Sequence, residues 1–163
     1  MKLGKIFILR LAVVLIGVPI LALCILLLPK IALEAIEQAQ MGAVLGYIVL
    51  SILIIMYISA IPFYMALYQA LKLLSYIEKN EAFSERSVIS LKKIRNCAAS
   101  IGGLYMIALP MIYIVAEWDD APGFIVFGVI IAGASMVVAV FTAVLNKVLQ
   151  QAIDIKIEND LTV

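Results

Sequence analysis

The side chains able to do chemistry are few in this chain, and their types argue against an enzyme. There is no histidine among its 163 residues, which removes the commonest general base and the commonest metal ligand. The two cysteines, Cys24 and Cys97, stand in separate segments and make no zinc site. No glycine-rich phosphate loop or Gly-x-Ser-x-Gly elbow occurs. Glu117, Asp119 and Asp120 have the oxygen chemistry of a divalent-cation site. Pro122-Gly123 follows at once, however, and the segment reads as a solvated turn. No catalytic residue, cofactor site or metal site is expected.

A different kind of candidate lies in two polar segments. Phe83, Ser84, Arg86, Lys92, Lys93 and Arg95 form the first, and Glu158 and Asp160 mark the second. Mixed charge around an aromatic with no core of its own suits the docking of another protein. Glu158 and Asp160 are expected to pair with Lys92, Lys93 or Arg95, closing the tail on the hairpin base. Surface pairs of that kind are worth roughly 0–1 kcal/mol, so a partner can displace them. The competing account is a solvated surface whose basic residues rest on anionic lipid, each worth about 1 kcal/mol.

These segments hang on four apolar runs. Nineteen uncharged residues extend from Leu11 to Pro29, 34 from Gln38 to Leu71, 21 from Asn96 to Ala116 and 26 from Ala121 to Asn146. About 20 apolar residues at 1.5 Å rise each cross the hydrocarbon of a bilayer. Charged residues make up only 14% of the chain, against roughly a quarter in soluble domains. The expectation is an all-α integral membrane four-helix bundle, residues 1–163 forming one domain with spans near 7–29, 42–64, 96–116 and 122–146. The second run is too long for one span and too short for two with a turn. It reads as one span, about Gly42–Tyr64, whose helix continues beyond the membrane. A re-entrant hairpin bent at Pro62 is the alternative.

Charge sets the orientation. Eleven of the twelve basic residues lie before the first run, between the second and third, or after the fourth, all on one side; only Lys30 lies on the other. Cytoplasmic segments carry the excess of Lys and Arg. Both termini and the central loop are therefore expected in the cytoplasm of a bacterial cell membrane, with helices 2, 3 and 4 extended into it. The start of the chain is not expected to be a signal peptide, since its apolar stretch exceeds the usual 7–15 residues. Leu21-Ala22-Leu23-Cys24 is similar to a lipobox, but Leu23 replaces the small residue that processing needs. Cys97 falls on the reducing side, so no disulfide with Cys24 is expected.

Helical spacing continues past the membrane. Leu67, Leu71, Leu74 and Ile77 recur on one face, then Glu78–Phe83 lacks a period and reads as a turn. Ser84 is the expected N-cap of the next helix, with Glu85 in its first turn. Val88, Leu91 and Ile94 carry the pattern into the third span, so spans two and three form a hairpin standing ~15 Å beyond the membrane. The fourth helix runs on through Val148, Gln151, Ala152 and Ile155. Within the spans, Pro19, Pro62 and Pro110 read as tolerated kinks. Gly42 and Gly46 form a small-xxx-small motif that packs the bundle internally, though a homo-oligomer stays open. Tyr57, near mid-span, is positioned to hydrogen-bond across helices.

The stretch Leu73-Leu74-Ser75-Tyr76-Ile77-Glu78-Lys79-Asn80-Glu81-Ala82-Phe83-Ser84, with Ser87-Val88 and Leu91-Lys92-Lys93-Ile94, resembles the bacterial DUF2975 membrane proteins. The ending Glu158-Asn159-Asp160-Leu161-Thr162-Val163 is similar to that family's Glu-Asn-Asp-Leu-Thr-Ile, with Val163 for Ile. The family has no assigned activity. The resemblance implies a neighbour: such proteins are often encoded beside a small cytoplasmic helix-turn-helix regulator of the Xre/Cro type. The leading expectation is a non-enzymatic membrane protein that binds or restrains such a regulator, without touching nucleic acid itself. Its partners are then the lipid bilayer and that regulator. The alternative is a small transporter or immunity-type membrane protein, which needs a polar cavity lined by Ser51, Ser59, Ser100, Ser135, Thr142, Asn146 and the tyrosines.

Overall fold

Apolar length dictates the architecture. In the computed structural model, which describes residues 2–161, almost every residue is helical. The first rod comprises α1 (Lys2–Ala22), a π-helical turn (Leu23–Leu27) and α2 (Leu28–Gln40). Three long helices follow: α3 (Val44–Glu78), α4 (Glu85–Trp118) and α5 (Gly123–Leu161). Each of the four rods is long and apolar enough to cross a membrane. The fold is a membrane four-helix bundle. Pro62 lies inside an unbroken α3, so the second run is one helix and the re-entrant hairpin does not form.

All three turns use the same device. Gly42, Asn80 and Asp120 each adopt positive φ, at 83°, 60° and 50°. In each turn the next residue's N–H reaches back to a carbonyl of the finished helix: Ala43 to Gln38, Glu81 to Tyr76 and Ala121 to Ala116. This left-handed closure satisfies helix-end carbonyls that would otherwise lack donors. Glycine adopts it freely, whereas Asn and Asp do so at some cost.

Packing follows chain order. α5 lies on α4, α4 on α3, and α3 on the first rod; the first rod makes no substantial contact with α5. Small residues permit the closest approaches. A Cβ on Gly46 would lie 2.5 Å from the Ala39 nitrogen and 2.7 Å from the Ala35 carbonyl oxygen, so α2 and α3 meet backbone to backbone. The expected internal role of the Gly42–Gly46 motif is thus seen at Gly46. Gly128 similarly lets α5 onto Leu109 and Ile112 of α4.

Hydrogen bonds pin the first rod to α3 at three heights. The Arg10 guanidinium donates to Glu78 at 2.6 Å and to Ser75 at 3.3 Å. Tyr64 donates its hydroxyl to the Gly17 carbonyl and Tyr57 to the Cys24 carbonyl, each at 2.8 Å. The last bond has a local cause. In the π turn, the Leu28 N–H bonds to Leu23. The next donor in that register would be residue 29, which is proline and has no N–H. Tyr57 supplies the missing donor from the neighbouring helix, as its mid-span position suggested.

Candidate functional site

At the turn between α3 and α4, three separate parts of the chain converge on an exposed aromatic. Phe83 is 56% exposed. On one side it borders a groove with Lys5 and Ile6 of α1 and Ile77, Asn80 and Ala82 of the α3 end. On the other it borders a groove with Ala152, Ile155, Lys156, Asn159 and Asp160 of α5. Phe83 is therefore a ridge between two shallow grooves, one floored by the start of the chain and one by its last described turns.

The ridge stands on a hydroxyl-bonded base. Ser84 occupies the N-cap position, with extended φ and ψ of −131° and 161°. Its hydroxyl makes no cap to the helix; it donates backwards to the Glu81 carbonyl at 2.6 Å. The capping expectation is right in position and wrong in bond, because the turn brings a carbonyl nearer to the hydroxyl than any helix N–H. Ser87 donates to the same carbonyl at 3.2 Å and is completely buried. Val88, Ser90 and Leu91 are buried beside it, so the hairpin has a small core of its own. The helical spacing of Val88 and Leu91 signals that core, but nothing in the sequence marks Ser87 as its centre.

The remaining candidates spread along the hairpin. Arg86 and Glu81 form an exposed ion pair at 3.9 Å. Lys92 is exposed in a groove that it shares with Glu85, Ile89, Gln150 and Asp154. Lys93 is exposed further along α4, and Arg95 folds onto the neighbouring Asn96 at 3.3 Å. The tail does not return to the hairpin base. α5 continues as helix through Glu158 and carries Asp160 to Phe83, while Asp154 is the acid that lies near Lys92. A helix rising 1.5 Å per residue cannot fold back, so the expected pairing of Asp160 with Lys92, Lys93 or Arg95 gives way to a place at the tip. Thr162 and Val163 lie outside the described residues.

The rest of the molecule offers little chemistry. Glu117 accepts a hydrogen bond from Tyr113 at 2.6 Å. Among the described residues, no three His, Cys, Asp or Glu side chains gather to hold a metal. Four of the hydroxyls that a polar cavity would need are turned onto their own helices. Ser51 donates to Tyr47, Ser59 to Met56, Ser100 to Asn96 and Thr142 to Val138. Ser59 also reaches Tyr105 at 3.4 Å across α3 and α4. Asn146 is 4% exposed, with its Oδ1 unpartnered.

Comparison with known proteins agrees with this picture of a membrane bundle. The chain is 57% identical over 155 residues to the uncharacterized membrane protein YoaS of Bacillus subtilis (strain 168), covering 95% of each. No solved structure matches it. Residues 33–163 match the family described as "Protein of unknown function (DUF2975)". The chain belongs to the DUF2975 family.

Proposed function

We propose that this membrane protein is a non-enzymatic docking platform, and that the Phe83 ridge binds or restrains a cytoplasmic helix-turn-helix regulator of the Xre/Cro type. The observation that carries the reading is the convergence of α1, the α3–α4 turn and the end of α5 on one exposed aromatic. Three chain segments that meet at a solvent-facing ridge build a shaped surface, whereas a plain connecting loop needs only to be polar. The regulator is what the family resemblance implies.

In this reading the ridge faces the cytoplasm. Arg10, Lys72, Arg95 and Lys147 stand where their helices leave the apolar runs, and they mark the cytoplasmic boundary. Lys72 caps its position with an ammonium 5.1 Å from the Tyr68 ring centre. The Arg10–Glu78 and Tyr57–Cys24 bonds set α3 against the first rod. From that register we infer a second span at about residues 51–71, one bilayer's worth of helix, in place of Gly42–Tyr64. A transporter is the weaker reading, because the hydroxyls of Ser51, Ser59, Ser100 and Thr142 each donate to their own helix.

Co-purification from native membranes followed by mass spectrometry tests the docking role. Phe83→Ala, or truncation after Ile157, should leave membrane insertion intact and lose a cytoplasmic protein that the parent chain recovers. Recovery of the same proteins by both variants would overturn the reading.

A further inference from the structure

In the half of the bundle away from Phe83, the first rod and α5 fail to close on each other. A cleft of about 280 Å³ lies between them. Leu27 and Ile31 form one wall, Phe127 and Ile131 of α5 form the other, and Leu53 and Ile112 form the floor. Two features accompany it. A π turn and Pro29 interrupt the α-helical ladder of the first rod at this height, and Gly128 lets α5 approach α4 closely.

The dimensions identify an occupant. The cleft extends along α4 from Tyr105, beside Ser59, to Val115. Ten helical residues rise ~15 Å, half of the ~30 Å hydrocarbon thickness. The cleft is therefore as deep as one leaflet. A helix measures about 10–12 Å across, and a cleft of about 280 Å³ over that length is too narrow for one, whereas an extended acyl chain is slender enough to enter. Left empty, these side chains would forfeit dispersion contacts on one face. Apart from the Tyr105 ring at its inner end, the lining offers no polar side chain to hold water.

We propose that this cleft is a lipid site, filled by one phospholipid acyl chain that exchanges more slowly than the surrounding bilayer. The site is independent of the Phe83 ridge, and its occupant acts as a fifth packing element between the first rod and α5.

The test uses the single tryptophan of the chain, Trp118. In a Trp118→Phe background, Ile131→Trp puts a probe in the cleft, and Ile130→Trp puts one at the same depth on the exposed face of α5. Both are reconstituted in phosphatidylcholine vesicles with increasing fractions of acyl-brominated phosphatidylcholine. Preferential occupancy predicts that the residue-131 probe is half-quenched at an about tenfold lower brominated fraction than the residue-130 probe. Equal dependence at the two positions makes the cleft ordinary bilayer contact and overturns the proposal. A residue-131 probe that bromine does not reach means that protein fills the cleft, and overturns it as well. Native mass spectrometry of the unaltered protein in mild detergent gives a reading free of substitutions. One retained phospholipid per chain is expected, and none after equivalent handling refutes slow exchange.

Discussion

The hydroxyl of Tyr57 lies 2.8 Å from the carbonyl oxygen of Cys24, thirty-three residues earlier in the chain, and donates to it. The carbonyl needs that donor because Pro29 cannot serve it. Inside a membrane an unserved backbone group has no water to fall back on.

This bond predicts a coupling. Tyr57→Phe should cost about 1–2 kcal/mol, the upper range for hydrogen bonds between membrane helices. Pro29→Ala returns an N–H to the first rod and should reduce the cost of the tyrosine change. Equilibrium unfolding of both single variants and the double variant in mixed micelles measures the coupling.

Gly46 gives the sharpest steric prediction. Its missing Cβ space is occupied by the Ala39 and Ala35 backbone, which cannot rotate away. Gly46→Ala should destabilise by about 1–3 kcal/mol, as overpacked sites do. Gly103→Ala and Gly133→Ala meet open space and should unfold at the parent temperature or slightly above it.

At the hairpin turn, Ser84→Ala loses the bond to Glu81 and should cost about 0.5–1.5 kcal/mol. Ser84→Asp has no proton to donate at neutral pH and sits beside Glu85. It should do no better than alanine unless its carboxylate swings round to cap the helix. Amide exchange in the first turn of α4 distinguishes the outcomes, since a true cap raises protection there.

Arg10 and Glu78 are each about one-third exposed, at 38% and 33% of their side-chain surface. Arg10→Gln should therefore lower stability by only roughly 0–1 kcal/mol. Its local effect should be larger: α1 loses its tie to the α3 end. A cysteine pair at Ile6 and Ile77, across the groove that they share with Phe83, should crosslink more slowly in the Arg10→Gln protein than in its parent.

Orientation has a direct readout. A cysteine at Asp119 should react with an impermeant thiol reagent added outside intact cells, and one at Asn80 should not. Strong outside labelling at Asn80 would invert the topology argued from the basic residues.

Much of the architecture was legible because membrane spans are written in long, unambiguous code. The four apolar runs became the four rods, and the weak period of Glu78–Phe83 became a turn. Small-residue spacing at Gly42 and Gly46 foretold a close helix contact, since only glycine admits another backbone there. Other features depend on register, which composition does not encode. The π turn at Leu23–Leu27 adds no unusual residue type. The carbonyl that accepts the Ser84 hydrogen bond is fixed by the left-handed conformation of Asn80. The length of α5 sets Asp160 beside Phe83, and an acidic tail looks the same in sequence whether it folds back or runs on. Ser87 is buried completely although serine is usually exposed.

The packing order of the rods also governs how the chain is made. Each long helix rests on the one synthesised just before it, and the first and last barely meet. Contacts that are close in sequence carry a low loop-closure cost and form quickly. A helix emerging from the ribosome therefore finds a packing neighbour already in the membrane. The last helix to arrive completes the stack by docking on a surface that is already assembled.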